Sequence, residues 1–481
     1  MLQTFAYIVL FLMCAAVCRT VRSHTLRRSV LLLASYFLYL SWTPWFTLVL
    51  LGSTVMNFVI GQWLRRRSSP LILWCGILLN VGVLSAFKYL PEAAARLPFS
   101  VLQPFSQLAL PLGISFWTFQ ALSYLFDLYR GEELDPTFAE FALYMAFFPV
   151  TISGPICRMP DMLPQFRSDQ PTQWGATANG FRRIATGVFM ILLARLLGQG
   201  FLAGDGITSG FDRANQWTGP DVWCLAAGYG LQLFFDFAGY SHIAIGAAQM
   251  LGFTVPENFD RPFASTTPSI FWTRWHMSLS FWIRDYVFLP LATLRREIWW
   301  RNLALVVAMV IFGLWHKATL LLLLWGAYHG MLLVLHRQVQ QAERRLDWNP
   351  PEQVWTPLSW ILTIALISLG WIFFRANSLA QAREMWSDLL TPASYGSHNL
   401  SSTLYLLVAA LAIGYAVVLS LSDGPALREP GAAPEKSGWS AILTRWRWYW
   451  LPPLYALALL FLWIVTMSNG PSAAQFMYRK F

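Results

Sequence analysis

The sequence predicts an all-α polytopic integral membrane protein. Three observations point there: long apolar runs, scarce charge, and arginines confined to the gaps between the runs. Of 481 residues, 56% are hydrophobic and only 12% charged, against about a quarter charged in an ordinary soluble domain. Such a chain cannot cover itself with a water-soluble shell. A run of about 20 apolar residues matches the hydrocarbon thickness of a bilayer, where an isolated segment satisfies its backbone only as a helix.

Taken in order, the spans fall at residues 5–18, 29–61 (broken near Pro44), 71–87, 184–202, 222–250, 303–335, 355–374, 402–421 and 450–467. Several are long enough to hold two short spans, so about 11 to 13 crossings or re-entrant pieces are expected. The first run is kept as a span rather than a secretory signal, because no charged segment precedes it and no cleavage pattern follows. The polar stretches at 91–107, 161–182, 204–220, 347–353, 391–401 and 422–439 are too short for domains and read as loops with surface helices.

The formal net charge of +10 comes from inter-span clusters: Arg19, Arg22, Arg27 and Arg28; Arg65, Arg66 and Arg67; Arg295, Arg296 and Arg301; Arg337, Arg344 and Arg345. This is a positive-inside distribution and excludes a nucleic-acid patch. With the first two clusters both cytoplasmic, the segment between them crosses twice, the Ser41-Trp-Thr-Pro44 break is the outer turn, and the N-terminus lies outside. The five cysteines show no CxxC pair and no zinc-like spacing with histidine, so they read as small buried hydrophobes and no metal site is expected.

No composition shift or inverted repeat divides the chain, so residues 1–481 read as one membrane domain. Its segments are N-terminal peripheral helices (1–110), a core (111–376), and C-terminal helices with an aromatic tail (377–481). Only the core is interrupted repeatedly by polar, Gly and Pro residues, as in Phe235-Asp-Phe-Ala-Gly239-Tyr240-Ser-His242. Broken backbone at membrane depth is tolerated only where protein or a water-filled cavity covers it. A thin, protein-enclosed central core with re-entrant helices and a funnel, ringed by simpler helices, is therefore expected.

Of the seven histidines, His316 stands deepest in apolar sequence, where an ionisable group is a functional-site hypothesis by default. Histidine suits acyl transfer because, with an ordinary pKa of about 6.5, it can take a proton from an attacking hydroxyl and return it to a leaving thiolate. A core histidine satisfied by a backbone carbonyl is the alternative. His329 would lie roughly 220° round a straight helix from His316 at about 100° per residue, so a bend at Lys317 or Gly326, or separate roles, is required. His276 sits among bulky aromatics with Arg274, Arg284 and Asp285, as in a boundary helix or the lining of a polar tunnel. An interfacial anchor with snorkelling arginines is the other reading. Arg284 and Asp285 are adjacent and face different sides of an α-helix, so no mutual salt bridge is implied.

These residues carry a pattern spread over Pro111-Leu-Gly-Ile-Ser-Phe-Trp-Thr-Phe-Gln120, Asp127-Leu-Tyr-Arg-Gly131, Phe147-Phe-Pro149, Ser153-Gly-Pro-Ile156, Asp236-Phe-Ala-Gly-Tyr-Ser241, Asn258-Phe-Asp-Arg-Pro-Phe263, the His276 and His316 segments and Trp371-Ile-Phe-Phe-Arg-Ala376. It resembles the membrane-bound O-acyltransferase superfamily, in the bacterial branch of alginate O-acetyltransferases and teichoic acid D-alanyl transferases. The resemblance implies that His316 matches the essential histidine of a Trp-His-Gly motif, beside Trp315, where an outer funnel meets a donor channel. It assigns His276 to the donor side and His329 to a following Tyr-His-Gly. Arg284, Asp285, Asp236, Trp315, Lys317 and His242 become channel candidates. Lys317 stands where the motif usually has Gly, and His242 where many relatives have Asp. Phe476, Tyr478 and Phe481 resemble a terminal Phe-x-Tyr-x-x-Phe pattern that would anchor a partner; an interfacial aromatic belt explains them equally.

The resemblance further implies an acetyltransferase of the bacterial inner membrane. Its donor would be a cytoplasmic thioester, acetyl-CoA or an acyl carrier, with no permanently bound cofactor. The acceptor would be an extracytoplasmic polysaccharide such as alginate or cellulose, and the partners membrane lipids, a periplasmic SGNH hydrolase-like protein and a polysaccharide synthase complex. D-alanyl or other acyl transfer to teichoic acid or peptidoglycan is the nearest competitor. From other classes come a polymer or lipid transporter with histidine proton relays and Asp127 or Asp236 as buried carboxylates, and a scaffold that docks a secreted transferase.

Overall fold

In a computed structural model, residues 2–96, 100–201, 205–213, 217–348, 350–421 and 460 are described. The expected span at 450–467 (apart from Leu460) and the tail residues Phe476, Tyr478 and Phe481 lie outside them. The chain runs through α1 (Leu2–Thr20), α2 (His24–Trp42), α3 (Pro44–Arg66), α4 (Pro70–Lys88), α5 (Leu90–Arg96), α6 (Ile114–Tyr129), α7 (Phe138–Ala146) and α8 (Met159–Phe166). Next come α9 (Trp174–Gln199), α10 (Ile207–Asp212), α11 (Gly219–Met250), α12 (Pro268–Arg274), α13 (Met277–Ile283) and α14 (Leu289–Thr293). The last among the described residues are α15 (Ile298–His316), α16 (Leu320–Leu346), α17 (Glu352–Arg375), α18 (Leu379–Leu390) and α19 (Ser402–Leu421).

Six helices among the described residues, α3, α4, α15, α16, α17 and α19, are long and apolar enough to cross a bilayer. The protein is a multi-pass, all-helical membrane protein. Leucines such as Leu33, Leu71 and Leu406 remain largely exposed on these and neighbouring helices, as suits side chains that meet lipid rather than water.

The chain forms two compact units. Unit 1 comprises Met1–Thr186, Tyr240–Asn258 and Phe281–Tyr286; unit 2 comprises Gly187–Gly239, Phe259–Ser280 and Val287–Phe481. In unit 1 the apolar run at 29–61 breaks where sequence expected. Thr43 is extended and Pro44 opens α3, because proline's fixed φ and missing N–H suit a first helical turn and no later one. Helices α3 and α4 are joined by a buried amide pair: Asn57 Nδ2 donates to Asn80 Oδ1 at 3.1 Å, and Asn80 Nδ2 to Asn57 Oδ1 at 2.7 Å. In an apolar surround such reciprocal bonds hold helices together where the hydrophobic effect cannot.

In unit 2 the run at 303–335 is two helices. Lys317 is extended at φ −159°, and Thr319 caps α16 by accepting from the Leu322 N–H at 3.4 Å. The chain reverses there, and α15 packs against α16 with backbones nearly touching. A Cβ on Gly326 would lie 2.3 Å from the Met309 carbonyl oxygen, so only glycine permits the approach. Helices α12 and α17 also pack against α16.

Candidate active site

Unit 2 gathers the three histidines that sequence singled out. His316 is the last residue of α15 and is 3% exposed, while His329, on α16, and His276, between α12 and α13, are fully buried. The break at Lys317 supplies the bend that a straight helix lacks.

Shared aromatic rings link the histidines. Phe312 stacks on His316 at 5.5 Å between ring centres and stands 6.4 Å from His276. Trp325 meets His316 edge-on at 5.8 Å and His329 at 4.9 Å. Trp315 lies 4.7 Å and Phe374 5.1 Å from His316, and Trp272 lies 5.2 Å from His329. These rings are stiff and large, so each imidazole has little freedom to turn.

His276 is held by its backbone as well. Its φ is +44°, in the left-handed region, which costs a residue with a Cβ roughly 1–2 kcal/mol. The turn persists because the segment is pinned on both sides. The Asp260 N–H donates to the Arg274 carbonyl at 3.0 Å, Phe259 and Trp275 form an isolated bridge, and the His276 carbonyl receives the Ser280 N–H at 2.8 Å. Strain of this kind clusters at functional positions. Phe237 closes the other side, 4.6 Å from His276, and Asp236 precedes it as a buried residue of α11.

Lys317, half-buried, closes the C-terminus of α15 through its N–H to the Gly313 carbonyl at 3.4 Å. Gly370 on α17 faces His329, for a Cβ there would lie 2.4 Å from the imidazole Nε2. Trp272, Phe312, Trp325 and Gly370 were not among the sequence candidates. Trp272, Phe312 and Trp325 fall inside the quoted His276 and His316 segments, and Gly370 directly precedes the Trp371-to-Ala376 motif, but no role was assigned to any of them.

Arg284, Asp285 and His242 belong to unit 1. The expectation that Arg284 and Asp285 face apart is corrected, because Arg284 Nε donates to Asp285 Oδ1 at 2.7 Å. Residues 284–288 form a π-helical turn, whose wider winding narrows the angle between neighbours. Arg158 Nη2 donates to Asp285 Oδ2, also at 2.7 Å. Burial by itself would raise the Asp285 carboxyl, but the hydrogen bonds from Arg284 and Arg158 outweigh it and hold the group below the usual carboxylate range. His242 is half-buried on α11. A cavity of about 260 Å3 in unit 1 is lined by Arg27, Arg28, Gln165 and Gln249 among others, and by none of the sequence candidates.

Residues 59–379 match the family model described as MBOAT, membrane-bound O-acyltransferase family. The chain is 33% identical to the probable alginate O-acetylase AlgI of Pseudomonas aeruginosa, over 95% of each protein. It is 32% identical to a peptidoglycan O-acetyltransferase of Helicobacter pylori, over 75% of this chain and 73% of that one. A teichoic acid D-alanyltransferase of Streptococcus thermophilus is 30% identical over 55% of this chain and 68% of its own.

Proposed function

Since the chain belongs to the membrane-bound O-acyltransferase family and is an acyltransferase, we propose that it moves acetyl from a cytoplasmic thioester to the hydroxyls of an extracytoplasmic polysaccharide, with His316 as general base. The observation that carries this reading is the aromatic enclosure that gathers His316, His276 and His329. Full-length similarity to an alginate O-acetylase favours a polysaccharide acceptor and acetyl over D-alanyl.

In this mechanism the acceptor O–H gives its proton to His316 while its oxygen attacks the thioester carbonyl carbon. The carbon–sulfur bond breaks, and the imidazolium returns the proton to the departing thiolate. His276, fixed by its backbone turn, holds the donor side. Trp315, Lys317, His329 and Asp236 shape the approach to that point. General-base help is worth roughly 10²- to 10⁴-fold, and positioning by the rigid rings supplies much of the rest.

The donor and acceptor meet through a funnel across the bacterial inner membrane, with the N-terminus outside. A periplasmic SGNH hydrolase-like partner, engaged by Phe476, Tyr478 and Phe481, completes transfer alongside a polysaccharide synthase. The test is His316→Ala, with membrane insertion verified and polymer acetylation measured. Loss of roughly two orders of magnitude or more is expected; wild-type acetylation in an inserted variant would remove His316 from the mechanism.

A further inference from the structure

The cavity of about 260 Å3 in unit 1 plays no part in the mechanism above. Its walls come from the first turn of α2, the end of α8, the segment leading into α9 and the C-terminal end of α11, all within unit 1. These pieces are pinned to one another. Arg27 Nη1 donates to the Gln170 carbonyl and its Nη2 to the Ser168 carbonyl. Gln165 Nε2 donates to the Thr254 carbonyl at 2.9 Å, and Gln165 Oε1 accepts the Thr254 N–H at 2.7 Å. The cavity is therefore preformed, as ligand sites usually are.

Its charge and its unpaired atoms point to an anion. The wall carries His24, Arg27 and Arg28 and, among the described residues, no carboxylate. Glu140 matches Arg28, and Asp169 pairs with His24 Nδ1 at 2.7 Å, whereas the terminal nitrogens of Arg27 end on main-chain carbonyls. Arg27 also stands in the first turn of α2, at the positive end of the helix dipole, where an anion is favoured and a cation is not. Two atoms of the wall are buried without a hydrogen-bond partner: Arg27 Nε, a donor, and Gln249 Oε1, an acceptor. Buried polar groups are nearly always paired, so this wall suits a guest with one negative charge and a hydroxyl to donate.

The position suggests where such a guest comes from. Cys18, in the last turn of α1, lies on the wall, and its carbonyl accepts the Thr172 N–H at 3.2 Å. Next to it, Arg19 lies over the exposed ring of Trp174, the first residue of α9. Arginine and tryptophan at helix ends mark the headgroup level of a bilayer, and basic pockets between membrane helices take acidic headgroups. The two helices that meet there carry exposed apolar side chains, Leu12 and Met13 on α1 and Phe181 on α9, which suit acyl chains. The volume falls just below the roughly 300–1,000 Å3 of drug-sized ligand sites, as befits a headgroup whose tails stay outside.

We propose that this cavity seats the headgroup of an acidic phospholipid of the phosphatidylglycerol type, its phosphodiester on Arg27 and a glycerol hydroxyl donating to Gln249. A phosphodiester brings the single negative charge that Arg27 lacks, whereas a zwitterionic headgroup would set a cation against a wall without a carboxylate.

The test uses the full chain, delipidated in neutral detergent, with binding of dioctanoyl phosphatidylglycerol and dioctanoyl phosphatidylcholine titrated by native mass spectrometry. The wild type is expected to prefer phosphatidylglycerol by about tenfold or more. Arg27→Gln, and Gln249→Glu, which sets a like charge beside the phosphate, should each weaken phosphatidylglycerol about tenfold and leave phosphatidylcholine unchanged. Arg345→Gln, in the basic cluster that ends α16, should change neither. Equal binding of the two lipids by the wild type overturns the site, and so does an equal loss in Arg345→Gln, which would reveal diffuse attraction to basic loops. Inorganic phosphate or glycerol 3-phosphate that displaces the lipid at equal concentration would make this a site for a free anion and also overturn it. Should Arg27→Gln fail to insert, Gln249→Glu decides, since it keeps the side chain's shape: an unchanged affinity refutes the seat.

Discussion

Replacing Gly370 with alanine tests whether His329 is held in place by the helix facing it. The added Cβ would lie 2.4 Å from His329 Nε2, 2.9 Å from its Cε1 and 3.3 Å from Tyr328 Cε1. Carbon contacts are comfortable near 3.5 Å, so the ring or α17 must yield by about 1 Å. The ring has little room to retreat, with Trp325 centred 4.9 Å and Trp272 5.2 Å away. Overpacking of this kind costs about 1–3 kcal/mol, and a misplacement of about 1 Å near reacting groups can cost up to 10²-fold in rate. Gly414→Ala on α19 is the control, since nothing lies within 4 Å of its added Cβ. The assay pairs thermal unfolding in detergent with the acetylation rate. Gly370→Ala should lose both stability and rate, the control neither, and combining Gly370→Ala with His329→Ala should recover much of the lost stability. A Gly370→Ala protein as stable and active as wild type, or a double variant whose stability losses simply add, would refute this packing.

Other substitutions probe the supports around the site. Glu140 accepts from Arg167 and Thr137 with its side chain 2% exposed; burial raises its carboxyl, but those hydrogen bonds win and hold it at about 2, against about 4.3 when free. A depressed folded pKa gives stability that is present above about pH 4.3 and lost as pH falls toward 2. Glu140→Gln should therefore cost up to about 3 kcal/mol at neutral pH, with the gap to wild type closing in acid, as followed by unfolding at several pH values. At fully buried His276, with φ +44°, Asn should keep a higher unfolding temperature than Val, because a β-branched residue fits the left-handed region poorly. Asp221 is fully buried and accepts from the Thr218, Asn399 and Leu400 N–H groups and the Tyr405 hydroxyl. Asp221→Asn puts donors where acceptors are needed, and should cost about 1–3 kcal/mol in the same unfolding assay.

The sequence by itself determined that this protein is a multi-pass helical membrane protein and an acyltransferase by family. Apolar run length and charge scarcity are set by the solvent rather than by tertiary contacts, and Pro44 marks a break through local chemistry, whereas the sequence left the bend between His316 and His329 open between Lys317 and Gly326. It also named all three histidines, since an ionisable residue in apolar sequence is conspicuous without any fold.

Only the tertiary structure decided how those residues are held. Phe312, Trp325 and Trp272 resemble any other aromatic residues of a membrane helix until α12, α15, α16 and α17 pack together. The Arg284–Asp285 bond was illegible because the expected α-helix separates neighbours that a π-helical turn brings together. Arg158 reaches the same carboxylate from 127 positions away. Periodicity reports which face a residue occupies on its own helix. Which residues meet across helices depends on close backbone approaches such as that of Gly326, and those are fixed only when the chain has folded.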